Sequence, residues 1–189
     1  MGKSSTGKDT VFKKICASEA LNLKNIVPYT TRPIREGEKE GVEYHFVSAG
    51  DFESLSEAGK VIESRCYETC HGPWIYFTVD DENTDLDRYD YITIGTLESF
   101  VKVRDYYGSD NVVPVLIELD DGIRLTRALE REKRQEHPKY EEMCRRFLAD
   151  SEDYSEEKIR EAGITTRFEN GVLEDCVNEI IGYFTRQNI

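Results

Sequence analysis

Short apolar, β-like runs alternate along this chain with amphipathic helical stretches, and that alternation limits the fold most. Strands joined through helices pair in parallel and need helices to cover the sheet. Strand candidates are 25–29, 61–67, 91–94, 112–119 and 164–168; helix candidates are 9–20, 51–58, 97–106, 122–135, 140–153 and 173–186. The stretch 31–85 departs from this rhythm, because its segments 42–47, 61–67 and 75–79 are short, glycine-bounded and aromatic. They predict a small mixed β lobe inserted in an α/β core. The segment 124–153 is dense in charges of both signs and reads as a pair of helices over the surface. A single domain of 189 residues is expected, with core segments 1–30, 86–122 and 160–189, the lobe at 31–85 and the helical pair at 123–159.

With 38 acidic and 25 basic residues the formal charge is −13, which argues against binding nucleic acid or an anionic membrane through overall charge. An anionic ligand must therefore meet local arginine clusters. No apolar run approaches the roughly 20 residues that cross a bilayer, and the first ten residues lack the basic-then-apolar layout of a signal peptide. A cytoplasmic location is expected. The five cysteines, Cys16, Cys66, Cys70, Cys144 and Cys176, are odd in number and scattered, which suits reduced thiols. Cys66, Cys70 and His71 have a metal-compatible spacing, but a structural zinc needs four ligands and no partner cluster accompanies them. No Ser/His/Asp arrangement is readable.

Gly2-Lys3-Ser4-Ser5-Thr6-Gly7-Lys8 fits G-x-x-x-x-G-K. In such a loop the glycines let backbone N–H groups converge on phosphate oxygens, and the lysine neutralises the terminal phosphates. A helix starting behind it adds its positive end. Gly2, Ser4, Ser5, Thr6, Gly7, Lys8, Asp9 and Thr10 are thus the candidates for holding ATP. Asp9 stands where the loop ordinarily has a Ser or Thr hydroxyl for Mg²⁺; its carboxylate, or the Thr10 hydroxyl next to it, is the candidate metal ligand. Such loops follow a buried central strand, and here the loop begins at residue 2. The expectation is that the sequence starts at an internal methionine, that a longer form carries apolar residues upstream, and that the loop is poorly held without them.

The run from Tyr29 to Phe46, YTTRPIREGEKEGVEYHF, carries two arginines three apart, set by Pro33 and followed by glycine turns and a tyrosine. Arg32, Arg35 and Tyr44 offer two forked donors and a hydroxyl, a clamp for a dianionic phosphate. This run resembles the T-T-R-x-x-R-x-G-E-x-x-G-x-[DE]-Y-x-F signature of guanylate kinases, whose fold combines a phosphate-loop core, a small GMP-binding β lobe and a mobile helical lid. The resemblance covers the whole chain in layout, with strong motif matches at 2–10 and 30–47. It implies that Arg32, Arg35 and Tyr44 hold the acceptor phosphate. It further implies that guanine is read by Glu63 and by a tyrosine and hydroxyl at Tyr76-Phe77-Thr78, with Tyr67 and Thr69 competing for that last role. A carboxylate accepts paired N–H donors from guanine, an edge adenine does not offer. The chain departs from the family at Pro28, where a serine is expected, at 92–98, which lack the acidic L-D-x-D pattern, and at His71-Gly72-Pro73-Trp74, bulkier than the usual turn.

Arg127, Arg131 and Arg134 recur at i, i+4 and i+7, along one helical face, and Arg145 and Arg146 follow on the next helix. The set resembles the guanylate kinase lid, which brings arginines onto both nucleotides and excludes water. It implies catalytic roles for Lys8, Arg127, Arg131, Arg145 and Arg146; the alternative is a solvated helix laced by pairs such as Glu130 with Arg134. The resemblance implies ATP-dependent phosphoryl transfer to a nucleoside monophosphate, GMP first, with ATP and Mg²⁺ as cofactors, small nucleotides as partners, and a monomer or homodimer. The rival readings are a kinase for another small phosphorylated acceptor and a noncatalytic guanylate kinase-like binding module.

Overall fold

The computed structural model describes all residues except Glu36, Cys70, His71, 81–83 and 188–189. In chain order the first elements are α1 (Lys8–Cys16), β1 (Lys24–Asn25), β2 (Tyr29–Thr30), β3 (His45–Phe46), α2 (Ala49–Glu57), β4 (Val61–Thr69), β5 (Gly72–Val79) and β6 (Tyr91–Ile92). They are followed by α3 (Leu97–Tyr107), β7 (Leu116–Glu118), α4 (Asp121–Lys133), α5 (Tyr140–Asp153), α6 (Glu156–Glu161), β8 (Arg167–Glu169) and α7 (Leu173–Gln187). The chain forms two compact units, one of Met1–Asn22, Ile94–Leu97 and Val113–Ile189, the other of Leu23–Thr93 and Glu98–Val112. Among the described residues no helix is long and apolar enough to cross a membrane.

In the first unit β7 and β8 pair in parallel. Residue 1 runs along the other edge of β7, where the Ile117 N–H donates to the Met1 carbonyl at 2.9 Å and the Met1 nitrogen to the Val115 carbonyl at 2.8 Å. Helix α1 turns Val11 and Ile15, one turn apart, toward α7, whose Cys176, Val177 and Ile180 are buried. Asp9 in its first turn and Lys13 and Lys14 in its last suit the helix dipole. Helices α4 and α5 pack as the expected pair.

The second unit holds a four-stranded mixed sheet in the order β3-β2-β5-β4, plus a parallel pair of β1 and β6. Strands β2 and β3 are parallel; β5 is antiparallel to both its neighbours. One face packs Phe77, fully buried, against Phe52 of α2 at 4.9 Å and Tyr29 at 5.4 Å between ring centres. Ser48 and Asp51 form a reciprocal capping box at the start of α2.

Several expected boundaries are corrected. The run 25–29 is not one strand: β1 pairs with β6 and β2 with β3 and β5, because Pro28 between them has no N–H for a ladder. Its carbonyl instead accepts from the His45 N–H. The run 112–119 shrinks to β7 for the same reason at Pro114. Helix α1 stops at Cys16 rather than residue 20, where Ala17 and Ser18 N–H groups close the last turn. Ile164 is not a strand residue, since its N–H closes α6 on the Ile159 carbonyl. Helix α6, capped by Ser155, was not expected: six residues with a single buried side chain, Ile159, give no readable period.

Candidate active site

The phosphate loop sits in the first unit between residue 1 and α1. Gly7 has φ 82° and caps α1, a left-handed conformation that glycine takes at no cost, and a Cβ there would lie 2.5 Å from Asn170 Nδ2. At Gly2 a Cβ would collide with the Ile117 carbonyl oxygen, so the loop's entry passes against β7 only without a side chain. Ser5 is also left-handed, at φ 64°. Lys8 opens α1 with its ammonium 3.7 Å from the Asp9 carboxylate.

Far from being poorly held, the loop is tied down at every second residue. Asp150 of α5 accepts from the Ser4 N–H at 2.8 Å and the Ser4 hydroxyl at 3.3 Å. Arg124 of α4, with no exposed surface, donates to the Ser4 carbonyl at 3.0 Å and to Asp150 at 3.0 Å, pairs with Asp121, and lies over the Phe147 ring at 4.8 Å. Asn170 Nδ2 donates to the Thr6 carbonyl at 2.7 Å. The Gly2 N–H reaches the Tyr154 hydroxyl at 3.4 Å, and burial pushes that phenol up to about 12, so it stays protonated at neutral pH. The buried Ser5 hydroxyl and Asn170 Oδ1 have no hydrogen-bond partner among the described residues.

The arginines expected on α4 and α5 divide. Arg127 reaches the loop's neighbourhood, donating to the Asn170 carbonyl at 3.5 Å. Arg146 touches the Ser4 hydroxyl at 3.4 Å. Arg145 instead grips Glu142 with two bonds of 2.7 Å, which lowers that carboxyl and raises the guanidinium. Arg131 and Arg134 are exposed. Arg124, Asp150, Tyr154 and Asn170 were missed in the sequence; for Arg124 and Asp150 the signal was the charge density of 124–153, and Tyr154 and Asn170 lie outside it.

In the second unit, Glu63, Arg65 and Tyr67 of β4 stand opposite Thr78, Tyr76 and Trp74 of β5, and alternation puts all six on one face of the hairpin. The Glu63 side chain has no exposed surface; it accepts from the Thr78 hydroxyl at 2.8 Å and from Arg65 at 3.0 and 3.2 Å. The register thus selects Thr78 over Thr69, whose hydroxyl bonds the Gly72 carbonyl at 2.7 Å. Arg32, 3% exposed, donates from Nε to the Tyr76 hydroxyl at 3.1 Å and lies 5.0 Å from the Tyr44 ring centre. Its fork is held by Glu38 at 2.6 and 2.7 Å, and Glu38 also accepts the Arg35 N–H at 2.8 Å. The Arg35 guanidinium lies 6.0 Å from the Trp74 ring. Of the bulky turn, Gly72, Pro73 and Trp74 begin β5, while His71, like Cys70, lies outside the described residues.

The hydrogen bond from Arg32 holds the Glu38 carboxyl below its ordinary 4.5. A carboxyl depressed in the fold contributes stability that is fully present above the unfolded value and is lost as pH falls through the folded one. Glu38→Gln is therefore expected to cost ~1–2 kcal/mol above about pH 5.5. Urea melts between pH 7 and 3.5 should show this gap closing as the wild type falls to meet the variant.

Asp9 and Thr10 present oxygen donors of the kind Mg²⁺ takes, at the exposed start of α1 beside Lys8. Among the described residues no three His, Cys, Asp or Glu side chains converge on a metal position.

Residues 1–72 match the family model for guanylate kinase. The guanylate kinase of Malacoplasma penetrans is 42% identical over 115 residues, 61% of this chain and 53% of that protein. That of Enterococcus faecalis is 45% identical over 62 residues, 33% of this chain and 30% of that protein. The matches to these curated relatives thus span about a third to a half of the relatives' length. The solved guanylate kinase from Anaplasma phagocytophilum superposes with a TM-score of 0.64 over 99% of this chain and 83% of its own, at 23% identity, and shares the fold.

Proposed function

We propose that this chain, a relative of the guanylate kinases with their α/β phosphate-loop fold, transfers the terminal phosphoryl group of ATP to a nucleoside monophosphate, GMP in the first place. The observation that carries the reading is the single face of the β4-β5 hairpin on which a base-reading pair, Glu63 and Thr78, is followed by a phosphate clamp, Tyr76 with Arg32. Residues 31–85 serve as the acceptor lobe and 123–159 as the lid.

In the first unit the amides of residues 2–8 and the Lys8 ammonium bind the donor phosphates, and Arg127 and Arg146 supply further positive charge beside the loop. Arg131 and Arg145 are lid residues with exposed side chains, and Arg145 exchanges its Glu142 partner for phosphate. Asp9 or Thr10 would hold the Mg²⁺ that accompanies ATP, which would supply charge neutralisation at the phosphates. In the second unit the acceptor phosphate takes the place of the Glu38 carboxylate on the Arg32 fork, joined by Arg35 and the Tyr44 hydroxyl. Once charge spreads over the transferring group, these fixed cations favour the transition state over the ground state.

The test is coupled ADP release with Mg·ATP and a panel of GMP, dGMP, AMP, CMP and UMP. Turnover with GMP and no response to AMP or CMP is the expected result. Silence with every nucleotide from a folded chain would move the reading to another phosphorylated acceptor or to a binding module.

A further inference from the structure

We infer that Asn170 is a positioning residue of the donor site: by holding the Thr6 carbonyl it aims the Gly7 N–H at the donor phosphates. The inference rests on the reading of residues 2–8 as the donor-phosphate loop and narrows it to particular amides.

The N–H groups of the loop alternate between used and unused. That of Ser4 is taken by Asp150 at 2.8 Å and that of Thr6 by the Lys3 carbonyl at 3.4 Å. Among the described residues the N–H groups of Ser5 and Gly7 meet no acceptor, nor do those of Lys8 and Asp9, which open α1. The carbonyls alternate in step with them. Ser4 O is held by Arg124 Nε at 3.0 Å and Thr6 O by Asn170 Nδ2 at 2.7 Å. Among the described residues every peptide bond is trans, and in a planar trans peptide the carbonyl and the following N–H point to opposite sides. Pinning the Ser4 and Thr6 carbonyls therefore turns the Ser5 and Gly7 N–H groups the other way. With the unpartnered Ser5 hydroxyl they remain as donors for phosphate oxygens.

Asn170 is itself firmly placed. Its N–H donates to the Glu118 carbonyl at 2.9 Å, which fixes its backbone at the end of the β7-β8 pair, and it is 3% exposed. Its Nδ2 lies 2.5 Å from where a Gly7 Cβ would be, so the amide packs directly on the peptide it orients. Arg127 Nη1 lies 3.7 Å from that same point, and Arg127 Nη2 donates to the Asn170 carbonyl at 3.5 Å. One residue thus brings the Gly7 amide and a lid arginine to the same part of the loop. Leucine has a similar branched shape but gives the Thr6 carbonyl no donor.

The test is Asn170→Leu in the full chain, with Mg·ATP, inorganic tripolyphosphate and GMP titrated by calorimetry and the loop amides followed by NMR. Both ATP and tripolyphosphate should bind about tenfold more weakly to the variant, while GMP affinity does not change. In the wild type the Ser5 and Gly7 amide protons should move downfield on adding either phosphate probe, with Ser4 and Thr6 moving much less. In Asn170→Leu the Gly7 shift should be lost and the Ser5 shift, set by Arg124, should persist. Weaker ATP binding with tripolyphosphate unaffected overturns the inference, since Asn170 would then act on the nucleoside. So does a loss shared equally by GMP, which marks a merely structural residue, or a Gly7 shift unchanged in the folded variant. If neither phosphate probe binds the wild type, the donor reading itself falls and takes this one with it. Where Asn170→Leu does not fold, the wild-type spectrum decides: a Gly7 amide that does not respond to either probe sinks the inference.

Discussion

Lys8→Ala is expected to lower ATP-dependent turnover by roughly 10²- to 10³-fold while leaving the fold intact. Lys8 is the first residue of α1 and its side chain is 23% exposed, so alanine, the best helix former, removes charge without opening a cavity. Among the described residues its one ionic partner is the exposed Asp9, at 3.7 Å, and that pair contributes little to stability. What is lost is a fixed cation at the terminal phosphates, which acts as charge moves onto the oxygens of the transferring group. The measurement is steady-state ADP release at saturating acceptor, with a thermal melt beside it. A drop in turnover with an unchanged melt places the effect in the chemistry; undiminished turnover would remove the loop from the donor site.

Arg124→Met is expected to destabilise the first unit by ~2–4 kcal/mol, toward the lower side of what breaking a buried charge pair costs. A full loss is not expected, because Asp121 is 53% exposed and Asp150 keeps both Ser4 donors. Methionine fills much of the space beside Phe147, so the effect isolates the guanidinium. For a chain of this size the melting temperature should fall by about 5–15 °C. The variant should also bind ATP more weakly, since the Ser4 carbonyl loses the donor that holds the loop between α4 and α5. Differential scanning calorimetry with and without ATP checks both. A melting temperature within about 2 °C of the wild type would mean that the loop is held without Arg124.

The two segments that carried the functional reading were legible because their chemistry is local. Gly2 to Lys8 and Arg32 to Tyr44 each encode a backbone turn and the donors that project from it within a few residues, and spacing alone conveys that. The i, i+2 relation of Glu63 and Arg65 was equally open, since alternation places them on one side of a strand. The choice between Thr69 and Thr78 was not open, because it depends on where the β4-β5 hairpin turns, and four alternative residues carried suitable hydroxyls.

Composition and local order were enough to specify the α/β class, the mixed lobe, the helical pair and both arginine-bearing motifs. Which arginines serve the loop was decided by packing. Arg124 and Arg145 are alike as letters in one charge-rich segment, yet the first is buried 120 residues away from its partner Ser4 along the chain and the second turns to Glu142 on its own helix. Asn170, 164 residues from the Thr6 carbonyl it holds, is likewise invisible until α7 and α1 pack. The physical reason is reach: a side chain's neighbours along a helix or strand follow from periodicity, whereas a through-space partner exists only once apolar burial has brought distant elements together and left each enclosed polar group in need of a bond.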